Sequence, residues 1–307
     1  MSSEKVLTKE IAEQFLADPW SVNLSDRTAI EDSAAEILSK CKVGLNLGGL
    51  TSLSDSAAER LSECGNYLWL DGIGCLSDSA AEILSKHEGE LSLGVTSLSD
   101  AQAESLGNYH DKGALHLSGL TNLTDAQAES LVECGVFLHL SGLTTLSDAQ
   151  AEILSNCKGG GLDLSGLTSL SDAQAESLIK CGAFLDLSGL TILSDPQGES
   201  VSKLKVDNDG DGSLSLCGLT GLSDAQAVSL SKYKGNLQLN SLIELSDDAA
   251  ESLSKHQGSL NLEGLTELSY LGAKSLSTHQ GELEMILSEL PEVAYEVLRN
   301  EHPSFKD

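Results

Sequence analysis

One repeating unit runs through the chain and constrains its fold more than any other feature. Residues 138–148, 162–172 and 185–195 read LHLSGLTTLSD, LDLSGLTSLSD and LDLSGLTILSD. The second leucine of each L-x-L recurs with a nearly constant step from Leu24 to Leu187, and again from Leu216 through Leu239 and Leu262 to Met285. A period of about 23 residues is typical of a solenoid, so we predict a single solenoid domain over residues 1–307.

Each unit predicts one short strand and one short helix. The L-x-L alternation places both leucines on one side of a strand, and strands of successive units would stack into a parallel sheet. The segment S-D-A-Q-A-E-x-L predicts a helix, with Ser147 as N-cap and Gln150 completing a capping box. The predicted fold class is therefore α/β, a curved solenoid with a parallel sheet on one face and short helices on the other.

The ends of the chain depart from the unit and carry their own helical patterns. Residues 1–20 contain TKEIAEQFL, and residues 288–307 contain PEVAYEVLR. A solenoid must cover its terminal faces, so we predict an N-terminal and a C-terminal capping helix in these two segments, the latter with Pro291 in its first turn.

The unit resembles that of leucine-rich repeat proteins, in particular their cysteine-containing subtype and bacterial-type arrays of unassigned role. That subtype also has L-x-L-x-x-(C/N)-x-x-(I/L)-(T/S)-D, followed by a cysteine after the helix. The resemblance implies the same solenoid fold. This sequence departs from it by having leucine where the family has its asparagine or cysteine ladder, which predicts that packing replaces the ladder; these positions are Leu50, Leu120, Leu143, Leu167 and Leu190.

The net charge, the N-terminal segment and the cysteine count indicate which partners and which compartment to expect. The formal net charge is −29 and the pI is near 4.3, so the surface would repel phosphates and nucleic acid is not an expected partner. No stretch is apolar for long enough to span a membrane, and MSSEKVLTKEIAEQF lacks the pattern of a signal peptide. Seven cysteines, an odd number, favour reduced thiols. The default compartment is the cytoplasm, or the extracellular space if a signal peptide has been removed. The sequence does not indicate an oligomeric state.

The outward strand positions form a candidate binding surface. Aromatic residues are scarce in this chain, yet several fall on this face, and aromatic side chains are favoured contact anchors. We predict a non-enzymatic scaffold that presents this rigid face to a protein or peptide; the alternative is that the aromatic rings tuck into the rim of the sheet. The predicted contact residues are Tyr67, Trp69, His116, Phe137, His139, Asp163, Phe184 and Asp186.

Two kinds of catalytic or metal site compete with this interpretation. A row of His116, His139, Asp163 and Asp186 could serve acid–base chemistry or hold a metal, although exposed strand positions take polar residues by default. No recognised catalytic motif occurs, so we predict that the chain is not an enzyme. A second row of side chains stands three residues after the last leucine of each helix. Because tyrosine and leucine occupy some of these positions, we expect the row to pack in the interior rather than to bind zinc. Its members are Cys41, Cys64, His87, Tyr109, Cys134, Cys157, Cys181, Leu204, Tyr233, His256 and His279.

One insertion interrupts the period. The step from Leu187 to Leu216 is six positions longer than the usual one (216 − 187 = 29, against 23), and the extra positions lie in the Asp/Gly loop 206–212. Asp207, Asp209 and Asp211, followed by Gly212, match the first half of an EF-hand calcium loop, with a backbone carbonyl available from Ser213. The second half does not match, because Gly218 takes the place of the glutamate. The loop is predicted to bind calcium or to be a solvated turn, and the alternative function is a structural or cell-surface repeat module stiffened by calcium.

Overall fold

The computed structural model describes residues 5–110, 113–182, 184–206 and 212–306. They cluster into two compact units: unit 1 contains Met1–Leu143 and Cys157–Gly160, and unit 2 contains Thr144–Asn156 and Gly161–Asp307. Whether residues 1–307 behave as a single solenoid domain, and with what curvature, stays a prediction.

Unit 1 alternates strands and helices. Its strands are β1 (Val6–Leu7), β2 (Ala29–Ile30), β3 (Leu45–Asn46), β4 (Asn66–Leu70), β5 (Gly89–Leu93), β6 (Ala114–His116) and β7 (Phe137–His139). Its helices are α1 (Lys9–Ala17), α2 (Asp32–Leu38), α3 (Asp55–Ser62), α4 (Asp78–Leu84), α5 (Asp100–Gly107) and α6 (Asp125–Leu131). Strands β3 to β7 pair in parallel in chain order, whereas β1 and β2 form a separate parallel pair that the repeat pattern does not predict.

Unit 2 continues the alternation. Its strands are β8 (Gly161–Asp163), β9 (Phe184–Asp186), β10 (Ser213–Ser215), β11 (Asn236–Gln238), β12 (Leu260–Asn261) and β13 (Leu283–Glu284), which pair in parallel in chain order. Its helices are α7 (Asp148–Leu154), α8 (Asp172–Leu178), α9 (Asp195–Val201), α10 (Asp224–Leu230), α11 (Asp247–Leu253), α12 (Tyr270–Leu276) and α13 (Glu292–Glu301). Short 3-10 turns follow at Leu287–Glu289 and Pro303–Phe305.

The sheets are held in register by the first leucine of each L-x-L. In unit 1, Leu45 pairs with Leu68, Leu68 with Leu91, and Leu91 with Leu115. Both leucines of each motif are buried, and so are the second alanine and the leucine of each D-A-Q-A-E-x-L helix, whose first alanine is exposed, so strand and helix share one apolar core in these repeats. This confirms the predicted α/β solenoid of leucine-rich repeat type.

The insertion leaves the register intact. Leu185 of β9 pairs directly with Leu214 of β10, although the longer repeat lies between them. The added length of this repeat therefore falls between the end of α9 and the start of β10. Asp207, Asp209 and Asp211 lie outside the described residues.

Helix starts follow the predicted pattern closely. The side chain of Ser147 accepts a hydrogen bond from the Gln150 amide, and the Gln150 side chain accepts one from the Ser147 amide, which completes the capping box. Asp148 occupies the first turn, where a negative charge is favourable.

Two ladders of hydrogen bonds link successive helix starts. In the first, an N-cap serine hydroxyl donates to the first-turn aspartate of the preceding repeat; the described pairs are Ser54–Asp32, Ser77–Asp55, Ser99–Asp78, Ser171–Asp148, Ser194–Asp172, Ser223–Asp195, Ser246–Asp224 and Ser269–Asp247. In the second, the capping-box glutamine donates from Nε2 to a leucine carbonyl one repeat earlier, as Gln174 does to Leu146 at 2.7 Å.

The prediction that packing replaces the family's ladder holds at Leu50 and its equivalents, which are buried. It is incomplete, because hydrogen-bonded ladders are present at the helix starts instead.

The two terminal helices lie within the segments for which caps are predicted. α1 buries Ala12 and Phe15, and α13 buries Ala294 and Leu298. Pro291 is the N-cap residue of α13 rather than a residue of its first turn, with φ −54° and ψ 141°; since an N-cap has non-helical dihedrals, proline is accommodated one position earlier than predicted. The capping role of both helices stays a prediction.

Candidate functional site

A cluster of aromatic, imidazole and carboxylate side chains covers the outward face of β4 to β7 in unit 1. Because the leucines of each strand point into the core, the residues between and before them point outward. We call this group the sheet-face cluster; its members are Tyr67, Trp69, Glu90, His116, Phe137 and His139, all of them half-buried.

Glu90 joins the two halves of the sheet-face cluster. Tyr67 stacks on Trp69 with ring centroids 4.6 Å apart. The indole Nε1 of Trp69 donates to Oε1 of Glu90 at 2.9 Å, and the same oxygen lies 3.3 Å from Nε2 of His116. One carboxylate therefore holds an aromatic pair and an imidazole across three neighbouring strands.

The other half of the sheet-face cluster is a stack of rings. His116 and His139 are directly paired in the register of β6 and β7, and their rings lie 3.8 Å apart at an interplanar angle of 10°. Phe137 lies 4.5 Å from His139. The rings support one another and their strands are fixed by the sheet, so the surface is largely pre-organised, which lowers the entropic cost of binding.

Sequence reasoning did not single out Glu90, although a signal was present. Glu90 pairs with Tyr67 in the register of β4 and β5, so it stands one repeat later at the same position before the L-x-L. Reading that position through every repeat would have identified it.

The predicted contact residues Asp163, Phe184 and Asp186 lie in unit 2. Asp163 and Asp186 are paired in register, and Oδ1 of each accepts a hydrogen bond from the backbone amide two positions later, Ser165 and Ser188, at 2.8 Å. These bonds fix the turn that follows each strand. His116 and His139 lie in unit 1, so the predicted row of four is divided between the units. Partner binding by Asp163, Phe184 and Asp186 stays a prediction.

One residue of the predicted calcium site, Ser213, lies in the described part of the chain. Ser213 begins β10, where it pairs with Phe184 and Asn236, and its buried hydroxyl has no hydrogen-bond partner among the described residues. In the described part of the chain, no group of three or more His, Cys, Asp or Glu side chains is arranged to hold a metal ion. The three aspartates of the loop lie outside that part.

The row of side chains after the helices is buried throughout its described length. Burial raises the pKa of Cys64 to about 12, so its thiol stays protonated near neutral pH. Nδ1 of His87 lies 3.2 Å from the Ser62 carbonyl at the end of α3, and burial lowers the pKa of His87. These side chains fill the space below the helix ends, as the packing interpretation predicts.

In unit 2 this row becomes a series of neighbouring rings, which we call the ring stack. It runs through the buried rings of Tyr233, His256, His279 and His302 to the half-buried ring of Phe305, with centroids 6.3, 6.1, 6.2 and 5.6 Å apart. Sequence analysis missed His302, although it lies one full repeat after His279 and so keeps the period.

Known proteins resemble this chain in fold rather than in sequence. No family model matches it, and no curated protein is similar to it in sequence. Among solved structures, an internalin from Listeria monocytogenes is similar in fold, with 13% identity, 95% of this chain and 93% of that chain covered, and a TM-score of 0.46. A chain of the Drosophila Toll–Spatzle complex has 11% identity, with 92% of this chain and 42% of that chain covered, and a TM-score of 0.40. At these identities and TM-scores, neither protein indicates a partner or an activity for this chain. Among the described residues, none of the helices combines the length and apolar character needed to cross a bilayer.

Proposed function

We propose that this protein is a non-enzymatic binding scaffold whose sheet-face cluster binds a protein or peptide partner. The observation that carries the proposal is the connected set of contacts from Tyr67 through Trp69, Glu90 and His116 to His139 on one outward face. Tryptophan and tyrosine are among the side chains whose removal most often weakens protein interfaces, and phenylalanine is enriched in interface cores, since aromatic rings offer a large contact area.

The chemistry of the sheet-face cluster favours binding over catalysis. The polar contacts from Trp69 and His116 to Glu90 are made within the cluster, and a carboxylate engaged in this way orients its neighbours. The half-buried rings leave part of their faces open to a partner. Binding there would cover apolar surface, which stabilises a complex by about 25 cal/mol per Å² before the costs of association.

Selection from a randomised peptide display library tests the proposal. The ligands selected on the wild-type chain are then measured by fluorescence polarisation against Trp69→Ala and Phe137→Ala. We expect each substitution to weaken binding about tenfold or more, because each removes a central aromatic contact. Circular dichroism verifies that both variants stay folded.

Ile192→Ala is the matched control, because Ile192 is an exposed apolar side chain of unit 2. It should bind the selected ligands like wild type. Equal affinity of wild type, Trp69→Ala and Phe137→Ala for every ligand would contradict the proposal, as would a library that yields no ligand at all.

A further inference from the structure

A cavity of about 290 Å³, lined mainly by apolar and aromatic side chains with Asn23 and Asn46 among them, opens at the N-terminal end of unit 1. It lies between the segment that follows α1 and the start of β3. The side chains that carry the following argument are Phe15, Pro19, Trp20, Val43 and Tyr67. This volume suits one aromatic or branched aliphatic side chain, and its walls offer that side chain apolar contacts.

Trp20 forms an uncovered wall of the cavity. Its side chain is 96% exposed, although its backbone is fixed by hydrogen bonds from the Trp20 amide to Oδ1 of Asp18 at 3.1 Å and from the Ser21 amide to the Asp18 carbonyl at 3.0 Å. A tryptophan held on a fixed turn and left in water leaves a large apolar area unburied. Val43, on the same cavity, is 47% exposed. Clustered exposed apolar side chains of this kind mark interaction sites.

Tyr67 belongs to both the cavity and the sheet-face cluster. Its ring lies directly over Gly44, where an added Cβ would come within 2.1 Å of ring atoms, so only glycine leaves room for it. The residue before it, Asn66, has a φ of 74°, a left-handed conformation that asparagine tolerates better than most residues. The ring also stacks on that of Trp69, with centroids 4.6 Å apart. The cavity and the cluster are thus one continuous surface.

The charges of this surface select for a basic ligand. No lysine or arginine is among the side chains that line the cavity or form the cluster. Two carboxylates face outward, Glu90 in the cluster and Asp71, which accepts a hydrogen bond from Ser92 on β5. The whole chain carries a formal charge of −29. Such a surface attracts lysine and arginine and repels acidic segments.

We propose that the cavity beside Trp20 receives one apolar side chain, aromatic or branched aliphatic, of a peptide segment whose flanking residues are basic. The proposal rests on the proposed function and specifies its ligand: the anchor side chain fills the cavity, and the chain of the ligand continues over Tyr67 toward Glu90.

The two tryptophans of the chain, Trp20 and Trp69, provide a direct test. In a Trp69→Phe variant, which keeps an aromatic ring in the cluster, all tryptophan emission comes from Trp20. The probes are synthetic nonapeptides of glycine and lysine with phenylalanine, leucine or alanine at the centre, and a glutamate-flanked phenylalanine peptide. We expect the lysine-flanked phenylalanine and leucine peptides to shift the Trp20 emission to the blue with saturation, at about tenfold lower concentration than the alanine peptide. The glutamate-flanked peptide should leave the emission unchanged.

A second pair of variants separates the cavity from the rest of the surface. Val43→Asn makes one wall polar and should weaken binding of the phenylalanine peptide about tenfold, whereas Ile192→Asn makes a similar change at an exposed site of unit 2 and should leave it unchanged. Absence of a saturable shift up to millimolar peptide, or equal affinity for the phenylalanine and alanine peptides, overturns the inference.

The two proposals fail in different ways. If library-selected ligands are lost with Trp69→Ala but bind Trp20→Ala and Val43→Asn like wild type, the proposed function stands and the cavity is not its anchor site. If the defined peptides respond to Val43→Asn but no ligand responds to Trp69→Ala or Phe137→Ala, the cavity binds alone and the proposed function fails. A self-association detected by sedimentation velocity and abolished by Trp20→Ala would identify a second copy as the occupant and overturn the basic-peptide assignment.

Discussion

The hydroxyl of Ser171 donates a hydrogen bond to Oδ1 of Asp148 across 2.8 Å and thereby joins the starts of α8 and α7. The same hydroxyl accepts a hydrogen bond from the Gln174 amide at 3.1 Å, so it caps its own helix while it links to the preceding one. Asp148 also has two roles, because it lies at the positive end of the α7 dipole and accepts the link. The repeated Ser-Asp dipeptide therefore connects neighbouring repeats as well as starting each helix.

The C-terminal end of unit 2 supports this interpretation. α12 has Tyr270 in the first-turn position at which the preceding helices of unit 2 have aspartate. The next helix, α13, begins after Pro291, which has no hydroxyl to donate. α12 therefore lacks the aspartate, and the helix that follows it lacks the serine that would donate a hydrogen bond to that aspartate.

We predict that Ser171 and Asp148 are energetically coupled. Ser171→Ala removes both the cap and the link and should lower the free energy of unfolding by about 1–2 kcal/mol, and Asp148→Ala by about 1 kcal/mol. In a double-mutant cycle measured by urea denaturation, the coupling should be about 0.5–1 kcal/mol. The control cycle combines Ser171→Ala with Asp224→Ala, whose serine partner is Ser246, and should be additive. Additivity in both cycles would show that the link contributes nothing to stability.

The glutamine ladder makes a second prediction. Gln174 accepts from the Ser171 amide through Oε1 at 2.8 Å and donates through Nε2 to the Leu146 carbonyl at 2.7 Å. Gln174→Glu keeps the acceptor but sets a carboxylate oxygen against the buried carbonyl, which should cost about 1–3 kcal/mol in a urea unfolding experiment. Glu176→Gln, an exposed substitution on the same helix, should change stability by less than about 0.5 kcal/mol. A loss of the same size in both variants would contradict the assignment.

The parts of this structure that the sequence predicts are those whose interacting residues lie close together along the chain. Strand register and helix starts depend on residues within one unit, so Leu138, Ser147 and Gln150 suffice to predict them. The Gln174–Leu146 bond joins residues of different repeats, and its existence depends on how closely two helices approach, which no single unit encodes. For that reason the leucine at the ladder position predicts packing correctly but does not reveal the ladders at the helix starts.

The sheet-face cluster also combines residues that the sequence predicts with a contact that it does not predict. Tyr67, Trp69, His116, Phe137 and His139 follow from the alternation of the strand, because each strand exposes every second residue. The role of Glu90 depends on the contact of its carboxylate with Trp69 and His116 on either side. Contacts of this kind require the register and the side-chain conformations together.

Glu90 should restrict the motion of the Trp69 ring. In a Trp20→Phe background, all tryptophan emission comes from Trp69. Glu90→Ala removes the acceptor of the indole Nε1–H, so we expect lower steady-state anisotropy and emission shifted to the red as the ring becomes more mobile and solvated. Glu88→Ala, an exposed carboxylate two positions away, is the control. Unchanged anisotropy in Glu90→Ala would mean that stacking on Tyr67 alone holds the ring.

The inserted loop is predicted from its sequence either to bind calcium or to be a solvated turn. If it binds calcium, calorimetric titration of chelator-treated protein should give one saturable site with a Kd of about 10⁻⁴–10⁻³ M, the range of weak sites. Changing Asp207, Asp209 and Asp211 to asparagine should abolish the heat. The matched control removes three exposed carboxylates elsewhere, by Glu36→Gln, Glu59→Gln and Glu82→Gln, and should retain the site. No heat at millimolar calcium would leave the loop as a solvated turn.

The ring stack should make unit 2 sensitive to mild acid. Burial lowers the pKa of His256, His279 and His302, and repulsion from His279 lowers the pKa of both His256 and His302 further. The ionisable groups that face them are Tyr233 at one end and Lys306 at the other. Among the described residues, neither ring nitrogen of His256 or of His279 has a hydrogen-bond partner, and all four nitrogens are buried, so the folded state favours the neutral form of these rings.

The sign of the pH effect follows from these shifts. A histidine whose pKa is lower in the folded than in the unfolded state binds its proton more readily when unfolded, so stability is full above the unfolded pKa of about 6.5 and falls as the pH drops below it. The urea midpoint of the chain should therefore decline between about pH 7 and pH 5, and the decline should be shallower in His256→Leu and His279→Leu. His110→Gln, a change at an exposed histidine of unit 1, should follow wild type. If the two leucine variants keep the full slope of the wild-type curve, the acid sensitivity arises elsewhere in the chain.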